Sequence, residues 1–172
     1  MNDGAMQAYA LTLDKFLDHA AKWHPETEVV TSQADGVNAR VGYAALRERA
    51  LRVSAVLAGL GVRAGQRVAT LAWNSHAHVE AWFAIMGMGA TCHTLNPRLT
   101  AEQTAWMLRQ SHAQVLIVSA DLLPLAREIV AGAPVRHILT IDGEAGDGDD
   151  DVQPLEALLA GANGDVVWGG FD

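Results

Sequence analysis

The chain carries one short run of residue types that bind metals: His76, His78 and Glu80, separated by Ala77 and Val79. Imidazole nitrogens and carboxylate oxygens are common zinc ligands. The run starts a segment with helical spacing of apolar residues, and helix positions two apart point roughly 200° apart. His76 and Glu80 share a helix face, but two ligands do not make a metal site. We therefore predict no metal here, and a histidine near the helix start whose ring is exposed or hydrogen-bonded.

A second pair of reactive residue types, Cys92 and His93, lies in a predicted strand. Neighbours on a strand point to opposite faces, so a nucleophile–base pair is not expected and Cys92 is interpreted as a small buried apolar residue. The strand then runs into Leu95-Asn-Pro-Arg98, and ligands of open α/β sheets bind at the carboxyl ends of strands. This makes Arg98 a candidate for binding an anion and leaves the role of His93 open. The alternative for Arg98 is a loop arginine that donates to backbone carbonyls.

The glycine-containing segments do not match the known nucleotide-binding loops. Gly87-Met-Gly89 lacks the third glycine of a dinucleotide fingerprint, and it ends a predicted helix and precedes a strand, the reverse of the required order. A Gly-x-x-x-x-Gly-Lys-Ser/Thr loop is missing as well, and the only two lysines, Lys15 and Lys22, lie in the first predicted helix. The sequence therefore predicts no phosphate-cradling loop with its lysine in this chain.

The negative charge is concentrated in one segment. The chain has 20 acidic and 12 basic residues, a formal net charge of −8, and six of the acids fall between residues 142 and 151 without a base among them. The segment fails the calcium-loop pattern, because with Asp147 in the first position Val152 replaces the turn glycine and Leu158 the closing glutamate. We predict an acidic surface loop at residues 142–153. Without a basic stripe, nucleic acid is excluded as a partner.

Apolar periodicity and turn residues predict the elements that position these side chains. Helices are predicted at residues 13–24, 44–60, 78–88, from 100 to about 111, from 121 to about 131, and at 155–160. Strands are predicted at residues 28–32, 38–42, 68–73, 90–95, 115–118 and 137–141. Thr12 and Thr100 are predicted helix caps, the latter in a capping box with Gln103. Two strands predict a hairpin, and four that alternate with helices predict an α/β fold with a doubly wound, mostly parallel sheet, helices on both faces and a short amino-terminal hairpin.

Length and composition predict a single unit over residues 1–172. Half of the residues are apolar, and a chain of this length buries roughly 70% of the surface that its unfolded form exposes. Cys92 has no second cysteine to pair with, no apolar run reaches the ~18 residues of a membrane span, and the first residues do not resemble a signal peptide, so we expect a cytoplasmic protein. No later element is predicted that would bury the apolar residues of the last segment, which are Val166, Val167, Trp168 and Phe171.

Four short segments, taken together, carry a family resemblance. They are Val68-Ala-Thr-Leu-Ala-Trp-Asn74, His78-Val-Glu80, Gly87-Met-Gly-Ala90 and His93-Thr-Leu-Asn-Pro-Arg-Leu99. In this order they resemble the amino-terminal part of an acyl-CoA synthetase of the adenylate-forming ligase superfamily, and the last is most similar to medium- and long-chain fatty acyl members. The resemblance spans residues 11–172. It departs from the family's Thr-Tyr-x-Glu-Leu at Gly42 and Ala45, which weakens a helix cap.

The resemblance implies a two-step reaction. A fatty acid carboxylate attacks the α-phosphate of ATP, with Mg²⁺, to give an acyl-adenylate and pyrophosphate, and coenzyme A then displaces AMP. The family's phosphate loop, rich in serine, threonine and glycine and ending in Pro-Lys-Gly, has no counterpart in this sequence, and neither does its carboxyl-terminal domain. The chain therefore corresponds to about the first third of such an enzyme, and we expect no catalytic residue in it and no activity from it alone.

The same resemblance implies roles for two residues and for partners. Arg98 is expected to contact a phosphate of coenzyme A in the assembled enzyme, and His93 is expected to bind the substrate. Fatty acid, ATP and coenzyme A are the expected partners of the whole enzyme, and none is expected to bind tightly to this chain. The resemblance is also compatible with a homodimer through the amino-terminal region.

A different class of function stays open. The chain is alternatively a stand-alone module that kept the scaffold and lost catalysis, serving in dimerisation or acyl binding. The reading frame past Asp172 distinguishes the two, because a stop codon supports the module and a phosphate loop supports the enzyme. The apolar ending Val166-Val-Trp168, with nothing to bury it, favours the enzyme.

Overall fold

The chain folds into six α-helices and seven strands within the part that the computed structural model describes, residues 9–32, 36–143 and 151–170. The helices are α1 Asp14–Trp23, α2 Tyr43–Gly59, α3 His76–Gly87, α4 Ala101–Ser111, α5 Leu123–Ile129 and α6 Leu155–Leu159. The strands are β1 Glu28–Ser32, β2 Asn38–Gly42, β3 Arg67–Leu71, β4 Thr91–Thr94, β5 Val115–Ser119, β6 His137–Ile141 and β7 Val152–Pro154.

Five strands form one parallel sheet in the order β4-β3-β5-β6-β7. Strands β1 and β2 form a separate antiparallel hairpin that pairs Glu28 with Gly42. The apolar strand β5 is buried along its whole length, as a strand covered on both faces must be. The predicted doubly wound α/β fold with an amino-terminal hairpin is confirmed.

Strand β7 was not predicted. Val152 and Gln153 fall inside the segment predicted to be an acidic surface loop, yet Val152 is buried and pairs with Ile138 of β6. Three residues are too few to show a strand period, and the acids before them hide the apolar signal. Residues 144–150, which carry most of that acidic segment, lie outside the described residues.

Each face of the sheet carries its own apolar core. Val68 and Ile117 point to a first cluster that they share with residues of α1, α2, α3 and α6. Their strand neighbours Ala69 and Leu116 point to a second cluster, built with α4 and α5. This alternation is the two-residue period of strands, and fully burying one leucine or isoleucine stabilises the fold by roughly 1.5–3 kcal/mol.

Local capping decides where the helices begin. The predicted capping box of α4 is confirmed, because the Thr100 side chain accepts from the Gln103 amide and the Gln103 side chain accepts from the Thr100 amide. The predicted Thr12 cap is wrong: α1 is capped at Leu13 without a side-chain hydrogen bond. Helix α3 begins at His76, two residues before the predicted start, because the Ser75 hydroxyl accepts from the His78 amide.

The apolar ending is partly packed, against expectation. Trp168 packs on the first cluster, and its Nε1 donates to Ser54 Oγ of α2 at 2.9 Å. The Gly169 amide donates to the Gly87 carbonyl of α3 at 3.2 Å. Val167 is 89% exposed, and Phe171 lies outside the described residues. Because this chain itself partly buries Trp168, that residue does not show that a further element covers the segment.

None of the helices in the described residues is both long and apolar enough to cross a membrane.

Candidate functional site

The strand order creates a crevice at the carboxyl ends of β3 and β5. The chain leaves β3 toward β4 on one side and leaves β5 toward β6 on the other, so these neighbouring strands form the switch point of the sheet. Open α/β sheets bind ligands at such a point. A crevice of about 720 Å³ lies there. Its lining includes Trp73, Asn74, Ser75, His76, Asp121 and Asp142.

A hydrogen-bonded serine–aspartate cluster shapes the floor of this crevice. Ser75, the cap of α3, donates its hydroxyl to Asp142 Oδ2 at 2.7 Å, and Ser119 at the end of β5 donates to the same oxygen at 3.3 Å. The Trp73 amide in turn donates to Ser119 Oγ at 3.2 Å. Asp142 has a φ of 60°, a left-handed conformation that aspartate tolerates better than most residues. The cluster therefore ties together the ends of β3, β5 and β6.

Two further contacts fix the walls of the crevice. Trp73, whose ring is partly exposed, donates its indole N–H to Asp121 Oδ2 at 2.8 Å. Thr31 of the hairpin accepts the His76 amide at 2.8 Å through Oγ1, and the same oxygen lies 3.0 Å from His76 Nδ1. The hairpin is thereby attached to the first turn of α3. The hairpin forms a side wall of the crevice, a position that the sequence did not predict.

His78 lies beneath this site as a buried histidine. Its Nδ1 lies 3.0 Å from the Trp73 carbonyl, and its Nε2 lies 2.9 Å from both Trp82 Nε1 and Thr70 Oγ1. The predicted hydrogen-bonded ring is confirmed, and the residue is only 5% exposed. Burial lowers the pKa of His78, while the Trp73 carbonyl and the charge of Asp142 oppose that shift.

A buried ion pair borders the crevice. Arg49 of α2 donates from Nε to Glu80 Oε1 of α3 at 2.8 Å, and its terminal nitrogens bond Glu156 of α6. The Glu80 side chain is 2% exposed, and burial raises its pKa, an effect that Arg49 offsets only in part. Arg49 itself does not line the crevice, and its guanidinium is engaged by both carboxylates.

The electrostatics of the crevice do not suit a nucleotide phosphate. Asp121, Asp142 and Glu156 line it, and none of the described residues that line it is a lysine or an arginine. Phosphate sites need N–H donors and cations. Within the described ranges no group of three or more histidine, cysteine or acidic side chains is placed to hold a metal ion. The residues present therefore fit neither ATP phosphates nor Mg²⁺, and we derive no chemical step through them.

The predicted site residues lie elsewhere. His93 of β4 pairs with Ala69 of β3 on the sheet face of the second cluster. Its Nε2 is buried without a hydrogen-bond partner in the described part of the chain. Burial lowers the pKa of His93. Arg98 is exposed in the loop after β4, and its side chain makes no hydrogen bond or ion pair to the described residues, so the predicted alternative of carbonyl contacts is not seen. The structure does not bring either residue into the crevice.

Cys92 lies on the opposite sheet face from His93, as predicted, but it is partly exposed rather than fully buried. It packs against the first cluster. Burial raises the pKa of its thiol to about 11, although a hydrogen bond with Thr70 opposes the shift. A thiol that stays protonated at neutral pH is a poor nucleophile.

Comparison with known proteins decides the family. The family model described as AMP-binding enzyme matches residues 17–160, well over half of the chain. The chain belongs to the AMP-binding enzyme family. Among sequence relatives, the 3-methylmercaptopropionyl-CoA ligase of Ruegeria lacuscaerulensis is 32% identical over 98% of this chain and 32% of its own length. The long-chain-fatty-acid–CoA ligase of Thermus thermophilus is 41% identical over 80% of this chain and 26% of its own.

Solved structures agree on the fold of this member of the AMP-binding enzyme family. An anthranilate CoA ligase in complex with anthranoyl-AMP matches with a TM-score of 0.83 at 22% identity, over 95% of this chain and 30% of that one. A fatty acyl CoA synthetase of Mycobacterium tuberculosis matches with a TM-score of 0.76 at 26% identity, over 94% and 31%. The chain spans about a third of the length of these relatives and corresponds to the amino-terminal part of an adenylate-forming enzyme.

Proposed function

We propose that this chain is the amino-terminal third of an acyl-CoA synthetase that activates a fatty acid. The observation that carries the proposal is the alignment of 98% of the chain with a CoA ligase of which it makes up 32%. The relative with the higher identity, 41%, is named for long-chain fatty acids and supports that substrate class.

The proposed reaction has two balanced steps. A fatty acid carboxylate oxygen attacks the α-phosphorus of ATP, and pyrophosphate leaves. The coenzyme A thiolate then attacks the acyl carbonyl carbon, and AMP leaves with the bond electrons. The crevice of this chain is walled by carboxylates, which would repel the phosphates of ATP. The phosphate-holding groups therefore belong to the rest of the enzyme, and this chain supplies a rigid sheet and the switch-point crevice.

Arg98 is our proposed contact to a phosphate of coenzyme A. Its exposed guanidinium has no partner among the described residues, which leaves its donors free for an anion. A charge-assisted hydrogen bond contributes about 1.5–3 kcal/mol, so in the whole enzyme Arg98→Ala should raise the KM for coenzyme A roughly 10-fold or more and leave the KM for ATP unchanged. Arg136→Ala is the matched control, since Arg136 is exposed at the opposite end of the sheet, before β6. An unchanged KM for coenzyme A in Arg98→Ala contradicts the assignment.

His93 is proposed to lie on the substrate side. Its buried Nε2 has no partner among the residues that the structure describes, so it can bond a polar group brought by the substrate. His93→Leu in the whole enzyme should raise the KM for the fatty acid and leave that for coenzyme A unchanged. Equal effects on both constants would contradict a substrate-side role.

The decisive test of the proposed function is ATP–pyrophosphate exchange with a fatty acid. We expect no exchange from the 172-residue chain and clear exchange from the parent enzyme whose reading frame continues into a phosphate loop. Turnover by the 172-residue chain would contradict our assignment of the catalytic groups to the rest of the enzyme. A stop codon after residue 172 would contradict the ligase proposal and support the stand-alone module.

A further inference from the structure

A small cavity lies at the amino-terminal end of the sheet, opposite to the crevice. Strands β3 and β5 begin there at Arg67 and Val115, and both residues border the cavity, which measures about 200 Å³. This is the volume of roughly seven waters and is below the roughly 300–1,000 Å³ of sites that hold larger ligands. Four polar side chains line it: Gln66, Arg67, His112 and Gln114. We refer to these four residues as the basal cluster.

The guanidinium of Arg67 is anchored and still has donors to offer. Its Nε donates at 2.7 Å to the carbonyl of Ser111, the last residue of α4. That bond satisfies a carbonyl that the helix end leaves open. The two terminal nitrogens of Arg67 make no hydrogen bond or ion pair to the described residues. Capping of α4 therefore accounts for Nε alone, and the remaining fork has the geometry that binds oxyanions.

The other members of the basal cluster add hydrogen-bond donors. Gln66 Oε1 accepts from the Arg63 amide at 2.8 Å, which leaves the N–H groups of the Gln66 carboxamide for another partner. The His112 ring and the Gln114 side chain have no hydrogen-bond partner within the described ranges. An imidazole carries at least one N–H donor in either charge state. None of the described residues that line the cavity is acidic, so the lining suits an anion.

The charge at this end of the sheet is positive, although the formal net charge of the chain is −8. Four connecting segments with the strand starts that follow them meet there: residues 60–67, 88–91, 112–115 and 130–137. Together they contain three arginines and two histidines but no acidic residue. The crevice at the other end is lined by Asp121, Asp142 and Glu156. The two ends of the sheet therefore carry opposite charge, and the field draws anions toward the basal cluster.

We propose that the basal cluster is a binding site for a phosphate group. Donors from separate segments of the chain surround a small cavity, and a phosphate offers them more acceptor oxygens than a carboxylate does. The phosphate belongs either to a free inorganic ion, phosphate or pyrophosphate, or to a nucleotide whose base stays outside the cavity. The site lies at the end of the sheet opposite to the crevice, and the inference does not depend on the proposed ligase activity.

The test is a titration of the 172-residue chain followed by the amide signals in its NMR spectrum, at an ionic strength held constant with sodium chloride. Phosphate and pyrophosphate should shift the signals of Gly61, Gln66 and His112 in a saturable way and leave that of Asn74, in the crevice, unchanged. Acetate should bind at least roughly 10-fold more weakly than phosphate. AMP distinguishes the two sources: tighter binding than either inorganic ion assigns the site to a nucleotide phosphate, and weaker binding assigns it to the free ion.

Three variants connect the binding to named side chains. Arg67→Gln removes the guanidinium and should weaken binding roughly 10-fold or more. His112→Asn keeps a residue that tolerates the left-handed φ of 54° and should weaken binding at least roughly threefold, which provides a test if Arg67→Gln fails to fold. Arg63→Gln is the matched control: it removes the same charge at the same end, but the Arg63 guanidinium bonds the carbonyls of Ala58 and Val62 outside the cluster. Its affinity should change by less than roughly twofold.

Three results would overturn the proposal. The first is the absence of saturable shifts at the basal cluster. The second is an equal loss of affinity in Arg67→Gln and Arg63→Gln, which would show diffuse attraction by the positive end of the sheet instead of a site. The third is acetate binding as tight as that of phosphate. The titration needs no turnover, so its result is independent of the ATP–pyrophosphate exchange that tests the ligase proposal.

Discussion

At the scale of single residues, hydrogen bonding fixes the charge state of His78. A carbonyl only accepts and an indole N–H only donates, so Nδ1 carries the proton toward the Trp73 carbonyl and Nε2 accepts from Trp82. Protonating Nε2 would break the bond from Trp82 and place a charge in a buried position. The lowered pKa of His78 follows from that burial.

Because the His78 imidazole is neutral in the folded chain, we predict that the free energy of unfolding depends on pH. Because the folded pKa of His78 lies below its unfolded value of about 6.5, the unfolded chain binds the extra proton first. Stability contributed by this group is therefore complete above about pH 6.5 and falls as the pH drops below it, by at most about 1.4 kcal/mol per pH unit. Urea unfolding between pH 7.5 and 5.5 should show a shallower loss for His78→Gln than for the unmodified chain. His24→Gln, at an exposed histidine, is the control, and identical slopes for His78→Gln and the unmodified chain would contradict the assignment.

At the scale of secondary-structure elements, the sequence predicted the features that depend on residues close together in the chain. The capping box of α4 was readable because Thr100 and Gln103 are three residues apart. Strand β7 and the packing of Trp168 were not readable. Val152 becomes a strand residue only by pairing with Ile138, and Trp168 is held by Ser54, 114 positions earlier in the chain. Contacts between residues so far apart produce no periodic pattern in the sequence.

Two glycines, each the last residue of its helix, test how Trp168 packs against α3. A Cβ on Gly87 would lie 2.4 Å from the Trp168 ring, whereas a Cβ on Gly59 would meet nothing within 4 Å. We expect Gly87→Ala to lower the free energy of unfolding by about 1–3 kcal/mol through overpacking. Gly59→Ala should raise it by up to about 1 kcal/mol through helix propensity. Urea unfolding measures both.

A double variant isolates the cause of the Gly87 effect. With Trp168→Ala in the background, the clash disappears and Gly87→Ala should cost nothing further. Amide exchange at Gly169, whose N–H bonds Gly87, should speed up in the single Gly87→Ala variant. If Gly87→Ala remained costly without the Trp168 ring, the tail packing would not be its origin.

At the scale of the whole molecule, strand order determines where the candidate site lies. Sequence reasoning placed a ligand site at the end of β4, near Arg98, because the order of the four predicted strands was unknown. The crevice instead lies at the ends of β3 and β5, which pair directly although β4 separates them in the sequence. Asp142, assigned to an acidic loop, became part of the site through Ser75, 67 positions away. Sequence periodicity does not encode these pairings, whereas it did predict the fold class.

Ion pairs centred on Arg49 join three helices that are far apart in the sequence. Arg49 binds both Glu80 and Glu156, the latter 107 positions away, and so connects α2, α3 and α6. Arg49→Met leaves the buried Glu80 without its cation, which should lower the free energy of unfolding by about 3–5 kcal/mol. Glu156→Gln, at a side chain that is 67% exposed, is the matched control and should cost no more than about 1 kcal/mol.

The pH dependence of the Arg49→Met variant identifies Glu80 as the source of the loss. Burial already raises the pKa of Glu80, and removal of Arg49 should raise it further. A folded pKa above the unfolded value means that the folded state binds more protons, so the Arg49→Met variant should regain stability as the pH falls from 7 toward 5.5. The double variant Arg49→Met, Glu80→Met removes the stranded charge and should recover most of the loss at pH 7. Two outcomes would contradict this assignment: a loss of stability in Arg49→Met no larger than that of Glu156→Gln, or a loss that Glu80→Met does not reduce. Either would show that apolar packing, and not the ion pair, holds these helices together.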